Sequence, residues 1–467
     1  MPEKSAPQPL PIGSAIDGAV WPPVPSPAAA PIHAILLQLE HSQWLPAEEI
    51  ERRQRLQAQA LLRHACRAVP FYRQRLEPFA KQIAEGPLTP ELWSEIPLLQ
   101  RTDIQSADRQ LMSQPLPKQH GKISQTFTSG STGKPVAVRH SQLFVLYWRA
   151  VTIRNHLWHK RDFSGSLAMI RGRSAGAVYP TGKDTENWGV PKAAGIKTGP
   201  LLQLDINCTP AEQVDWMIRN EPTYLITHPT NLDRLARHSL KKGLKIPGLR
   251  EVLTVAEMLA PETRRVTERA WDCPVTDMYT SRDLGYLALQ CPEHEHYHIQ
   301  SETILLEVLD EAGRPCEPGQ IGRLVGTPLQ EFAMPLIRYD FGDYAEVGPP
   351  CPCGRGLPVL SRILGRSQQM LKLPNGEKRW TLHSAGPLDD LLKLGVTQYQ
   401  VVQKRLELLE VRAVVTHPFS PDEEEALRGW IRENYGWDEG EIALTYFDEI
   451  PRTKEGKFFD FMSEVKD

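Results

Sequence analysis

The run Thr128-Ser-Gly-Ser-Thr-Gly-Lys-Pro135 combines glycines, hydroxyl side chains and a lysine, which are residue types that wrap a phosphate group. Gly130 and Gly133 would let main-chain N–H groups approach phosphate oxygens closely, and the hydroxyls add further donors. The run is not a Walker A loop, because Thr128 stands where that motif needs a glycine. We interpret it as a phosphate-binding loop, with a plain surface turn as the alternative. The predicted contacts are Thr128, Ser129, Gly130, Ser131, Thr132, Gly133 and Lys134.

A second group of residues could bind a metal ion. Cys291, His298, Cys351 and Cys353 offer thiolate and imidazole ligands, which favour tetrahedral zinc. Four such ligands leave no open position, so the site would be structural. His294 and His296 compete for the imidazole position, and unmetallated core cysteines are the alternative.

Further segments follow the loop in a fixed order. They are Asp277-Met-Tyr-Thr-Ser-Arg-Asp283, Arg338-Tyr-Asp-Phe-Gly-Asp343, Arg362-Ile-Leu-Gly-Arg366 and Pro451-Arg-Thr-Lys-Glu-Gly-Lys457. Together with the loop they resemble the adenylate-forming superfamily from about residue 48 onward. The closer resemblance is to its phenylacetate–CoA ligase, coenzyme F390 synthetase and capsule-biosynthesis branch, whose members carry a similar cysteine and histidine set.

The resemblance implies activation of a carboxylic acid by ATP and Mg²⁺ to an acyl-adenylate, with release of pyrophosphate and transfer to coenzyme A. The loop would hold the β- and γ-phosphates. Lys457 would bridge the incoming carboxylate and the α-phosphate. The implied adenosine contacts are Tyr279 on the adenine, the backbone of Ala256 and Glu257 along it, Asp343 on both ribose hydroxyls, and Arg366 on ribose or phosphate.

The segment from Tyr279 to Asp283 departs from the usual Tyr-Gly-x-[Ser/Thr]-Glu pattern of this family. Thr280 replaces the glycine, Arg282 replaces the hydroxyl residue, and Asp283 replaces the glutamate that binds magnesium. Asp283 can still hold Mg²⁺, although its shorter stem shifts the metal or leaves a water between them. A non-catalytic nucleotide-binding relative is therefore one alternative.

The motifs leave more than one acyl acceptor open and do not identify the acid. Gln368-Gln369 stands where Asp-Asp is common in the family. Residues 373–379 have an unfamiliar sequence at the loop that would take part in transfer to CoA. An amine, a hydroxyl or a carrier-protein thiol is the alternative acceptor. An aryl or arylacetic acid is implied by the family. The candidate pocket walls, chosen by composition, are Tyr147, Trp148, Trp158, His228 and Pro229.

Bulk properties narrow the class of protein. A formal net charge of -3 over 467 residues provides no basic field for nucleic acid. The absence of a stretch of ~18 apolar residues argues against a membrane span. Seven cysteines in so long a chain do not make a disulfide scaffold. We expect a cytoplasmic protein, with a homodimer left open.

Sequence patterns predict an α/β fold with a large domain and a small one. Residues 1–31 are rich in proline and alanine, which predicts a disordered tail. The large nucleotide- and acid-binding domain should span 32–366, with a β-rich subdomain at about 290–366. A mobile α+β domain should follow at 367–467. The predicted helices are 48–66, 230–239, 261–271 and one that opens at Ser420-Pro421 and closes at Gly436; the predicted strands include 224–227, 252–255, 298–310, 321–328, 399–403, 406–415 and 441–447.

Overall fold

The computed structural model describes residues 10–127, 136–172, 176–366, 369–381, 388–437, 440–451 and 458–465. The predicted phosphate loop at 128–135, Gln368 and Lys457 lie outside the described residues. The chain divides into two compact units. The first comprises Met1–Phe341 and Ala345–Ile363, and the second comprises Gly342–Tyr344 and Leu364–Asp467.

The first unit contains most of the helices. In its described part these are α1 (Ala30–Ser42), α2 (Ala47–Ala68), α3 (Pro70–Arg75), α4 (Ala80–Glu85), α5 (Pro90–Glu95), α6 (Arg101–Ala107), α7 (Gln142–Trp158), α8 (Val190–Ala193), α9 (Pro210–Asn220), α10 (Pro229–Lys242) and α11 (Pro261–Trp271). Short 3-10 helices lie at Glu77–Phe79, Asp108–Leu111 and Lys118–His120. Over the described residues, no helix combines the length and apolar character that a membrane crossing requires.

The strands that begin in the first unit form a hairpin and one long sheet. They are β1 (Ile123–Phe127), β2 (Ala137–Ser141), β3 (Leu167–Ile170), β4 (Lys183–Thr185), β5 (Leu201–Gln203), β6 (Tyr224–Thr227), β7 (Glu251–Val255), β8 (Val275–Ser281), β9 (Gly285–Gln290), β10 (Tyr297–Ile299), β11 (Ile304–Leu309), β12 (Ile321–Pro328), β13 (Tyr339–Gly348) and β14 (Val359–Arg366). Among the described residues, twelve of them share one sheet in the order β11-β12-β13-β14-β10-β9-β8-β7-β6-β3-β5-β4.

The sheet changes from parallel to antiparallel at β8. Strands β3, β6, β7 and β8 run parallel to one another, whereas β9 pairs antiparallel with β8 and β10 pairs antiparallel with β9. The β-rich region predicted at about 290–366 therefore belongs to the same sheet, because the antiparallel β8–β9 pair joins its strands to the parallel ones. The α/β class predicted from the sequence is confirmed.

Helices α9, α10 and α11 begin and end where local chemistry favours it. Each begins with a proline, whose fixed φ suits a first helical turn. Gly243 caps α10 in the left-handed region at φ 64°. Their apolar faces pack on β3, β6 and β7 in a shared buried cluster. The predictions for 224–227, 230–239, 252–255 and 261–271 are confirmed to within a few residues.

The segment from residue 10 to residue 31 corrects the prediction of a disordered tail. Ile12 forms an antiparallel bridge with Ile196, and Gly13 N donates to Gly195 O at 2.9 Å. Ala29 is only 1% exposed. Composition predicted disorder because this segment has too few apolar residues to form a core of its own. In the structure these residues are instead buried against other residues of the first unit.

The second unit forms a small α+β arrangement. Its described elements are β15 (Met370–Lys372), β16 (Lys378–Trp380), α12 (Leu388–Lys393), β17 (Val396–Arg405), β18 (Leu408–Val415), α13 (Pro421–Tyr435), β19 (Glu441–Tyr446) and β20 (Phe461–Ser463). The main sheet has the order β19-β18-β17-β20. Ser420 and Glu423 form a capping box at the start of α13, and Gly436 ends the helix with φ 58°. The predicted strand pair, helix and final strand are confirmed.

A partly buried histidine at the end of α7 is expected to make the fold sensitive to acid. Burial is the largest influence on His159, Arg161 adds to it, and together they lower the pKa of this imidazole to about 4. Below about pH 6.5 the unfolded chain would bind a proton that the folded chain excludes. The free energy of unfolding should therefore fall as pH decreases from about 6.5 towards 4.

We predict that His159→Gln removes on the order of 2 kcal/mol of that acid-dependent loss, because glutamine does not titrate. Urea unfolding of both proteins between pH 4 and pH 7 measures the difference. His41→Gln, which replaces an exposed histidine on α1, is the control. The same pH dependence in wild type and His159→Gln would contradict the assignment.

Candidate functional site

The ends of the predicted phosphate loop are held by a hairpin. Strands β1 and β2 pair antiparallel, with Phe127 opposite Ala137. The segment 128–135 and Val136 therefore connect two residues that are direct cross-strand partners. The loop itself lies outside the described residues, but its points of attachment are defined.

A chain of hydrogen bonds ties this hairpin to the segment that follows β8. Arg282 donates from Nη1 to the carbonyl oxygen of Phe127 at 3.2 Å. In return, His140 of β2 donates from Nε2 to the carbonyl oxygen of Arg282 at 2.8 Å. The residue next to the loop and the residue next to Asp283 are thus fixed relative to one another.

Glu331 anchors this chain from behind. Its carboxylate lies 3.1 Å from Nδ1 of His140 and accepts from the backbone N–H groups of Ser141 and Ala333 at 3.0 and 2.8 Å. Glu331 is 1% exposed, and the His140 ring stacks on Phe144 with centroids 4.1 Å apart. Sequence reasoning missed both His140 and Glu331, because no motif marks a pair separated by 191 residues.

Tyr279 and Asp283 sit where β8 turns back into β9. Tyr279 pairs with Ala288, and the register then shifts so that Thr280 pairs with Tyr286. Such an irregularity bends the strand locally. Asp283 is 7% exposed, and its backbone N–H donates to Ser281 Oγ at 3.2 Å. The predicted adenine and magnesium residues therefore share one tight hairpin.

Ala256 and Glu257 lie at the carboxyl end of β7. Ala256 is exposed and adopts φ 74°, a left-handed conformation that non-glycine residues seldom take. The Glu257 carboxylate accepts from Thr230 N and Thr230 Oγ1 at 3.1 and 2.7 Å. The glutamate side chain is thus used to hold the turn, which leaves the exposed backbone at 256 available to a ligand, and strain of this kind often marks functional sites.

Asp343 and Arg366 both belong to the second unit. Arg366 Nε lies 3.4 Å from Asp343 Oδ1, and the Arg366 backbone N–H donates to Gln369 Oε1 at 3.1 Å. The two residues assigned to the ribose are therefore neighbours. Of the Gln368-Gln369 pair, only Gln369 lies within the described residues.

The predicted zinc ligands do come together. Cys291 Sγ lies 3.9 Å from Cys351 Sγ, and Cys353 Sγ lies 3.5 Å from His298 Nε2. A further histidine joins them, since one ligand atom each from Cys291, His296, His298 and Cys351 lie within 4.8 Å of one another. Arg355 donates to Cys353 Sγ at 3.4 Å. The cluster thus offers five candidate ligands for four positions.

The electrostatics of the cluster distinguish its thiols. Burial raises the pKa of the Cys351 thiol to about 12. Burial also acts to raise the pKa of Cys353, but hydrogen bonds from Arg355 outweigh it and hold that pKa below its usual range. Burial lowers the pKa of His298 to about 4, so this imidazole is neutral at pH 7 and able to bind a metal.

The candidate pocket walls chosen by composition lie in different surroundings. Tyr147 and Trp148 of α7 face Tyr286 of β9 across a narrow recess. Trp158 instead packs edge-on against His298 and under Arg355. His228 is buried, with Nδ1 3.4 Å from Glu257 Oε1.

Comparison with known proteins places the chain in a family. Residues 92–327, half of the chain, match the AMP-binding enzyme family. The chain is 25% identical over 387 residues to the phenylacetate-coenzyme A ligase of Thermus thermophilus, covering 80% of this chain and 83% of that protein. It is 26% identical over 322 residues to the phenylacetate-coenzyme A ligase of Pseudomonas putida, covering 66% and 69%.

A solved structure shares the fold. The 2-hydroxyisobutyryl-CoA ligase, crystallised in the postadenylation state with 2-HIB-AMP, superposes with a TM-score of 0.69 at 19% identity, covering 91% of this chain and 92% of that one. The chain belongs to the AMP-binding enzyme family. It is an AMP-forming acid–thiol ligase or a related adenylating enzyme, as the order of its motifs predicts.

Proposed function

We propose that this chain activates a carboxylic acid with ATP and Mg²⁺ and transfers the acyl group to coenzyme A. The observation that carries the proposal is the pair of hydrogen bonds joining Phe127, Arg282 and His140. They hold Phe127, the residue before the glycine-rich loop, beside the Tyr279–Asp283 hairpin, so the proposed phosphate loop would be attached next to the proposed magnesium ligand. Family membership and the likeness to acid–CoA ligases support the same reaction.

The first half-reaction moves negative charge between oxygen atoms. A carboxylate oxygen of the acid forms a bond to the α-phosphorus while the bond from that phosphorus to the pyrophosphate oxygen breaks. Lys457 would lower the repulsion between the two anions, and a unit charge pair at ~4 Å is worth roughly 4 kcal/mol at an effective dielectric of ~20. The loop at 128–135, with Thr132 and Lys134, would bind the departing pyrophosphate.

The proposed nucleoside contacts are the residues that the family resemblance implies. Tyr279 and the backbone of Ala256 and Glu257 would line the adenine, while Asp343 and Arg366 would bind the ribose. Bound Mg²⁺ would neutralise charge on the phosphates, and Asp283 provides the hard carboxylate oxygen that this ion prefers. Thr280 and Ser281 place hydroxyl oxygens in the same hairpin.

In the second half-reaction the thiol of coenzyme A would attack the acyl carbonyl and release AMP. The alternative acceptors are an amine, a hydroxyl or a carrier-protein thiol, favoured by the unusual Gln368-Gln369 and 373–379 segments. A non-catalytic relative is the remaining alternative, because Thr280, Arg282 and Asp283 depart from the family pattern. An aryl or arylacetic acid would suit the aromatic wall of Trp148 and Tyr286.

Pyrophosphate release across a panel of carboxylic acids, with and without coenzyme A, tests the proposal. We predict that Lys457→Ala slows acid-dependent pyrophosphate release by two to three orders of magnitude, since about 4 kcal/mol of charge stabilisation is lost. Lys454→Ala, three residues earlier in the same segment, is the matched control. Near wild-type adenylation by Lys457→Ala would remove this residue from the mechanism, and coenzyme A consumption decides between the acceptors.

We predict that Asp283→Ala raises the Mg²⁺ concentration needed for half-maximal pyrophosphate release at least tenfold, because a metal ligand is lost. Asp283→Glu should retain activity, since the longer side chain restores the reach found in relatives. Asp340→Ala, which removes a carboxylate from β13 that faces Arg323, is the control. An unchanged Mg²⁺ requirement in Asp283→Ala would place the metal ligand elsewhere.

We further propose that the cysteine and histidine cluster binds one structural zinc ion. Buried His296 Nε2 has no hydrogen-bond partner among the described residues, which suits an atom that accepts a metal. His298 Nδ1 lies 3.4 Å from the carbonyl oxygen of Leu357, so Nε2 is left to bind the ion. Cys291, His298, Cys351 and Cys353 would form the site, with Arg355 offsetting the charge of three thiolates. His296 is the alternative to Cys353 as the fourth ligand.

We predict about one zinc per chain, and loss of both the metal and several degrees of thermal stability in Cys351→Ser/Cys353→Ser, because metal affinity becomes folding free energy. Elemental analysis and thermal melts measure these effects. His296→Ala and Cys353→Ser, compared singly, decide the fourth ligand. Protein purified without chelators that contains no zinc would contradict the proposal.

A further inference from the structure

Arg171 stands at the carboxyl edge of the parallel strands. It follows directly after β3, whose last residue, Ile170, pairs with Thr227 at the end of β6. In α/β sheets the ligands bind outside the carboxyl ends of the strands. Ala256 follows β7 at this same edge, so Arg171 lies on the side of the sheet assigned to the substrates.

Arg171 is accessible to solvent and lies near two other polar side chains. The side chain is exposed, yet desolvation by the surrounding protein lowers the pKa of its guanidinium, and Arg282 acts in the same direction. The electrostatic neighbours of Arg171 are the phenol of Tyr286 and the cation of Arg282.

Arg171 differs from the buried arginines of the first unit. Arg154, Arg161 and Arg338 approach Glu302, Glu251 and Glu307 at 2.8, 2.7 and 3.0 Å. Arg171 has no such ion pair with any residue that the structure describes. A guanidinium that is partly desolvated and close to a second cation is most favourable when an anion binds to it.

An aromatic wall adjoins this cation. The Trp148 and Tyr286 rings lie 4.8 Å apart, and Thr152 Oγ1 donates to Tyr286 Oη at 3.1 Å, which fixes the phenol. Tyr286 thus contributes both to the recess beside α7 and to the surroundings of Arg171. The same site offers apolar surface for the body of a substrate and a positive charge beyond it.

We propose that the acid activated by this chain carries a second carboxylate, and that Arg171 binds this second group while the first is adenylated. The inference rests on the proposed function. A planar guanidinium can bind a carboxylate through two parallel N–H···O bonds, which fixes orientation as well as affinity. The second carboxylate undergoes no reaction, so Arg171 determines specificity and takes no part in bond making.

Acid-dependent ATP–pyrophosphate exchange with matched pairs of acids tests the inference. The pairs are 1,4-phenylenediacetate with phenylacetate, isophthalate with benzoate, and adipate with hexanoate. We expect at least one dicarboxylate to exceed its monocarboxylate partner by about 100-fold in kcat/KM, since a site built for a charged group discriminates strongly against its absence. Arg171→Met should abolish that preference and leave the KM for ATP unchanged.

Two further variants make the result specific. Arg171→Lys keeps the charge but loses the planar fork, so it should retain part of the preference. Arg250→Met makes the same change at the opposite end of the sheet, just before β7, where the arginine is 65% exposed, and should change nothing. Circular dichroism verifies that each variant is folded.

The outcomes separate this inference from the proposed function. Exchange with monocarboxylates alone would overturn the inference and leave the function standing. A loss in Arg171→Met that is equal for both members of a pair, or a raised KM for ATP, would assign Arg171 to the phosphates and overturn it as well. If none of the acids supported ATP–pyrophosphate exchange, both the inference and the proposed function would be overturned.

Discussion

The hydrogen-bonded chain from Glu331 through His140 to Arg282 and Phe127 is the interaction on which the candidate site depends. It begins at a buried carboxylate that also accepts two backbone N–H groups. It ends at the residue that precedes the glycine-rich loop. Because each member has a fixed partner, the loop attachment and the β8–β9 hairpin cannot move independently without breaking two hydrogen bonds, the partly buried one from His140 to Arg282 and the exposed one from Arg282 to Phe127.

This arrangement suits a reaction in which the protein supplies little covalent chemistry. Negative charge gathers on the phosphates, and the protein must place donors and cations where that charge develops. The parallel strands bring Ala256 and Arg171 to one edge, while the antiparallel hairpin brings Tyr279 and Asp283 there. Positions that depart from the family pattern, such as Arg282, are then used for tethering: its guanidinium holds the hairpin that flanks the loop.

Local sequence patterns predicted the helices and strands well. The order of the strands in the sheet depends on long-range pairing, which these patterns do not contain. Helix α11 was predicted to the residue, since a proline start and an apolar period fix it locally. By contrast, the β-rich strands could not be assigned to the main sheet from sequence, because their order depends on pairing across the β8–β9 hairpin. The proposed zinc ligands were chosen by residue chemistry, yet the approach of His296 to Cys291 and Cys351 required coordinates. Glu331 carries no motif at all, and only its burial against His140 reveals it.

The transfer of an oxygen atom from the acid to AMP tests the proposed adenylation most directly. An acid labelled with ¹⁸O in its carboxylate would be incubated with ATP, Mg²⁺, coenzyme A and the protein, and the AMP would be analysed by mass spectrometry. If a carboxylate oxygen attacks the α-phosphorus, the AMP must retain one ¹⁸O after the acyl group leaves. Unlabelled AMP, or label in inorganic phosphate together with ADP, would contradict adenylation as the activity of this chain.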